Sequence, residues 1–65
     1  MIDVNRTRER FADTGRNISL WARVKGLDPE RMRAVLRGAV AIRGDEEAAL
    51  REDGLMVEAD EAANG

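Results

Sequence analysis

The chain has 65 residues, 37% of them charged and 43% hydrophobic, with a formal net charge of −2. That length allows one small domain, and such a domain buries only about 60% of its unfolded surface. There is no cysteine and no histidine, which excludes disulfide staples, thiolate metal sites and His- or Cys-based catalysis.

The opening residues hold no apolar leader and no membrane-spanning run, so a cytoplasmic location is expected. Asn5 can cap a first helix running to about Thr14, with Gly15 just past its end. Phe11 and Ala12, helped by Val4, are its expected core contacts. Asn17 can cap a second helix over 18–25, in which Ile18, Trp21, Ala22 and Val24 form the apolar face. That placement favours core packing for Trp21 over stacking on a base. Gly26 follows where a left-handed residue is wanted, and Leu27 plugs the core. Asp28 caps a third helix with Pro29 at its first position, where a missing N–H costs nothing. Met32, Val35, Leu36 and Ala39 fall on one side of it, and Glu30, Arg33, Ala34 and Arg37 on the other. Residues 39–42 alternate weakly and read as an extended connection or a short strand. A short fourth helix spans 46–53, stopped by Gly54. The acidic, alanine-rich segment 56–65 is expected to fray, so the domain is placed at 1–55 and a flexible acidic tail at 56–65.

The resulting expectation is an all-α bundle of about four short helices containing a helix-turn-helix. The motif needs a small residue where its two helices cross, which is Ala22, and a turn residue four positions later, which is Gly26. It needs apolar residues ten and thirteen positions after the alanine, which are Met32 and Val35. An ordinary αα-hairpin would use the same spacing. The arginine-rich exposed face of the third helix favours DNA binding over the hairpin. The charge split along the chain agrees with it, although an uneven solvated surface would give the same split. Residues 1–43 carry ten cations against five acids, net +5, and residues 44–65 carry one cation against eight acids, net −7. A basic half with an acidic appendage points to nucleic acid.

On that reading Arg33 and Arg37, one turn apart, are the base-reading candidates, since Arg paired with guanine is the commonest specific contact. Glu30 could accept from cytosine or simply complement the helix dipole. Arg16, Arg23, Lys25, Arg31 and Arg43 are candidates for the DNA backbone. No metal-ligand spacing or phosphate-binding glycine motif occurs, so neither enzyme activity nor a cofactor is expected.

Ile18-Ser19-Leu20-Trp21-Ala22-Arg23, Gly26-Leu27, Val35-Leu36 and Gly38, with Arg43-Gly44 and Gly54-Leu55 in corresponding places, resemble a family of small DNA-binding proteins of Mu-like transposable phages and prophages. The resemblance covers about residues 15–56. It implies a compact helical regulator that binds operator DNA, with residues 28–37 as the reading helix and Arg43 in a backbone-contacting linker. Three positions depart from the family pattern. Leu20 replaces a polar residue, Ala39-Val40-Ala41-Ile42 replaces a basic linker, and the last helix is acidic. Leu20, Val40 and Ile42 are therefore expected to form an apolar patch that joins two chains as a homodimer. The expected partner is double-stranded DNA, with no membrane partner. The alternative is an acidic interaction module for a basic protein, such as a DNA mimic or an antitoxin-like adaptor.

Overall fold

A computed structural model of the chain describes residues 1–59, within which four short helices occur: α1 (Val4–Asp13), α2 (Ile18–Val24), α3 (Pro29–Leu36) and α4 (Gly44–Glu52). The fold is a small all-α bundle. The only extended pairing among the described residues is an isolated antiparallel bridge between Ile2 and Glu58.

Each helix begins and ends for a local reason. Asp3 accepts from the Arg6 N–H, Asn17 from Leu20, and Asp28 from Glu30 and Arg31, with Pro29 in the first turn of α3. The first helix therefore starts earlier than expected, because Asp3 and not Asn5 satisfies its free N–H groups. At the other ends the same closure recurs four times. Gly15, Gly26, Gly38 and Gly54 take positive φ. The following residue donates back five positions, as in Leu27 N–H to Ala22 O (2.8 Å) and Leu55 N–H to Leu50 O (2.8 Å). This is the Schellman closure, which satisfies orphan carbonyls and turns the chain sharply.

The core is built from Phe11, Trp21, Ala22, Met32, Leu36, Leu50 and Leu55, with Ile2, Ile18, Leu27 and Ile42 packed against it. Phe11 and Trp21 meet edge to face, ring centroids 5.3 Å apart, a favoured aromatic geometry. Three expectations fail here. Ala39 lies beyond the end of α3 and is exposed. Ala12 is exposed, while Thr7, one turn before Phe11, is buried in its place. Val24 is 84% exposed, because two residues beyond Ala22 it has turned through about 200°.

The boundary expected at residue 55 falls inside the packed chain. Leu55 and Val57 are both buried. Asp3 N–H donates to Val57 O (2.8 Å), Val57 N–H to the Thr7 hydroxyl (3.3 Å), and Ala59 N–H to Met1 O (2.8 Å). Composition marked this segment as frayed, but the alternate residues Leu55 and Val57 give it an apolar side that closes the bundle against α1. The rest of the expected tail, 60–65, lies outside the described residues.

Candidate nucleic-acid interface

α2 and α3 pack together across the turn at Gly26, and the side of α3 turned inward carries Met32, Val35 and Leu36. Glu30, Arg33 and Arg37 are exposed on its other side, within an arc of about 60° at 100° per residue. Arg33 and Arg37 form no ion pair among the described residues, and neither do Arg23 on α2 and Arg43 just before α4. All four are exposed. These are the cations able to meet a ligand without first breaking an internal contact.

The other candidates are engaged within the fold. Arg31 lies against Glu46, which is 2% exposed. Its buried Nε is 2.9 Å from Glu46 Oε2, off-line for a hydrogen bond and so an ionic contact. Its Nη2 donates to Ala41 O (2.8 Å) and to Glu46 Oε1 (3.3 Å). The same Oε1 accepts from Arg43 N–H at 2.8 Å. Arg31 thus ties α3 to the linker and to the start of α4 rather than reaching outward.

Arg16 and Lys25 converge on Asp53, at the end of α4. Asp53 Oδ1 is 2.9 Å from Lys25 Nζ, and Oδ2 is 3.7 Å from Arg16 Nη1. Trp21 Nε1 donates to Oδ2 at 2.7 Å. The indole hydrogen bond, followed by that from Lys25, holds the Asp53 carboxyl below the usual carboxylate range. Lys25 is raised in turn, first by its hydrogen bond to Asp53 and then, against partial desolvation, by Glu52 at 3.2 Å.

Five of the six described acids beyond residue 43 are paired with cations of the same chain. Glu46 takes Arg31, Asp53 takes Lys25 and Arg16, and Glu52 takes Lys25. Glu47 and Glu58 both take Arg51, and Glu58 also takes the N-terminal amine. Sequence reasoning missed Glu46 and Asp53 as structural anchors. The only signal for Glu46 is its place three residues after the residue preceding α4, where a glutamate reaches back to a free N–H.

The expected apolar patch of Leu20, Val40 and Ile42 divides differently. Ile42 is half-buried against the core, and Val40 is exposed in the linker. Leu20 instead shares a groove of about 360 Å³ with Val24 and Trp21, bounded by Arg16, Asn17, Lys25 and Asp53. No helix among the described residues is long and apolar enough to cross a membrane. No group of three or more potential metal ligands occurs among them either. Comparison with protein-family models, with curated proteins and with solved structures found nothing that matches the chain.

Proposed function

We propose that the chain is a helix-turn-helix DNA-binding regulator of phage or prophage type, with α2 and α3 as the motif and α3 presented to the major groove. The observation that carries this reading is the distribution of uncommitted charge. The acids of α4 are mostly held by intrachain cations, whereas Arg23 on α2, Arg33 on α3, Arg37 at its end and Arg43 just before α4 are exposed and form no ion pair among the described residues. Arg33 and Arg37 are the base readers, with Glu30 beside them. Arg23 and Arg43 anchor phosphates, and Arg31 acts through Glu46 as a positioning residue. The same distribution disfavours an acidic mimic, whose carboxylates would need to face solvent as an uncommitted array.

Selection of genomic fragments with the purified protein, followed by salt titration on the winning duplex, tests the reading. Affinity is expected to fall steeply with salt, with a log–log slope of about −0.9 for each phosphate neutralised. Absence of duplex binding at low salt, with binding to a basic protein instead, would overturn it in favour of the acidic module.

A further inference from the structure

With α3 in the major groove, the reading on which this rests, we infer that the chain reads a site built on G·C pairs. Glu30 selects a cytosine beside guanines selected by Arg33 and Arg37. An acid in the first turn of a helix ordinarily complements the free N–H groups there. Here Asp28 already accepts from the Glu30 and Arg31 N–H groups, at 3.0 and 3.4 Å, and Pro29 has no N–H to satisfy. Glu30 is exposed and forms no ion pair among the described residues, although Arg33 follows it at a spacing that permits one. Its carboxylate is left uncommitted on the arc that carries Arg33 and Arg37.

The contacts of Arg31 with Ala41 O and Glu46 hold the roll of α3 so that this arc faces outward. Ala34, on the same side, is too small to hold the helix off the bases. A carboxylate repels phosphates, and what it can do in the major groove is accept from the N4 amino group of cytosine. Arginine is the matching reader of guanine O6 and N7. Spacing sets how far apart these bases lie. At about 1.5 Å per residue, Glu30 and Arg37 stand about 10.5 Å apart along the helix axis. That is about three base-pair steps of roughly 3.4 Å each. The cytosine and both guanines therefore fall within about four consecutive base pairs.

Selection from a random duplex pool, repeated with Glu30→Gln and Glu30→Ala, tests this. The wild type should enrich the clustered G·C pairs. Glutamine pairs with adenine rather than cytosine, so Glu30→Gln should move the preference at one position from cytosine to adenine and leave the guanine positions unchanged. Glu30→Ala should bind all four bases at that position within about twofold, where the wild type favours cytosine about tenfold or more. Position 30 is exposed, so all three chains should share the same helical circular dichroism. A winning motif without clustered G·C pairs, or a cytosine preference unmoved in Glu30→Gln, would overturn the inference and leave DNA binding standing. So would a Glu30→Ala variant that binds every duplex more tightly in unchanged rank order, since the carboxylate would then only repel phosphates. A wild type that selects no duplex would overturn both.

Discussion

The indole of Trp21 donates to the carboxylate of Asp53 across 32 residues, at 2.7 Å, and so fastens the end of α4 to the middle of α2. The bond places a carboxylate between Trp21, Lys25 and Arg16, and it contributes to the acid limb of stability. The Asp53 carboxyl is lowered from its ordinary value of 3.8. Its stabilising contribution is therefore complete above that value and is lost as pH falls through the lower value it takes in the fold. Asp53→Asn should flatten this part of the stability–pH curve, read by Trp21 fluorescence during urea unfolding at pH 2–5.

Lys25 has the opposite sign. Its ammonium is raised from 10.5, so its contribution is complete below that value and disappears as pH rises through the higher one. Lys25→Gln should remove the alkaline part, measured by the same unfolding experiment above pH 10, and should also shrink the acid limb, because Lys25 supplies the second hydrogen bond that lowers Asp53.

The pairing of Arg31 with Glu46 should be the more expensive to break. Glu46→Ala leaves a half-buried guanidinium and the Arg43 N–H without their partner, at a cost of about 3 kcal/mol. Glu46→Gln keeps an acceptor for that N–H and should cost about 1 kcal/mol. Chemical denaturation midpoints check both. If α3 reads DNA, Glu46→Gln should also weaken specific binding more than non-specific binding, because it loosens the linker without touching an exposed cation.

Ending the chain after Leu55 removes Val57, its two backbone hydrogen bonds and the bridge at Glu58. The loss should be at most about 3.5 kcal/mol, from roughly 1.5 for the buried valine and about 1 for each hydrogen bond, and the entropy regained by the freed residues lowers it. Thr7→Val should reproduce about 1 kcal/mol of it by leaving the Val57 N–H unpaired. A thermal midpoint unaltered by truncation would mean that residues 56–59 do not belong to the folding unit.

Among the exposed arginines, Arg33→Ala should cost about 1–3 kcal/mol on the selected duplex and relax the sequence preference at one position. Arg23→Ala or Arg43→Ala should weaken binding evenly across sequences and reduce the salt slope by about 1. Fluorescence anisotropy on matched and scrambled duplexes separates the two behaviours.

Much of the fold was readable from local rules. Asn17, Asp28 and Pro29 mark the starts of α2 and α3, and Gly15, Gly26 and Gly54 mark the stops of three helices, because caps and left-handed turns depend on residues within one helical turn. The outward side of α3 was equally plain from its period, which is why Glu30, Arg33 and Arg37 lie where expected. The roles of Arg16, Lys25 and Arg31 were not readable. A basic residue in a sequence looks the same whether it faces solvent or a carboxylate many positions away. Asp53 and Glu46 likewise sit in an acidic run whose average character hides what each touches.

The sequence by itself therefore determined four short helices, the caps of α2 and α3, the glycine turns and the arginine-bearing side of α3, since each depends on spacing along the chain. Only the tertiary structure decided which charges remain uncommitted, and that the chain stays packed beyond Leu55 against α1. It also decided that Leu20 belongs with Val24 rather than Ile42. Stretches such as Ile18-Ser19-Leu20-Trp21 show where apolar residues are, but burial and ion pairing depend on what other elements bring alongside. The end of α4 brings a carboxylate to Trp21, and that meeting takes from Lys25 and Arg16 the freedom that Arg33 and Arg37 keep.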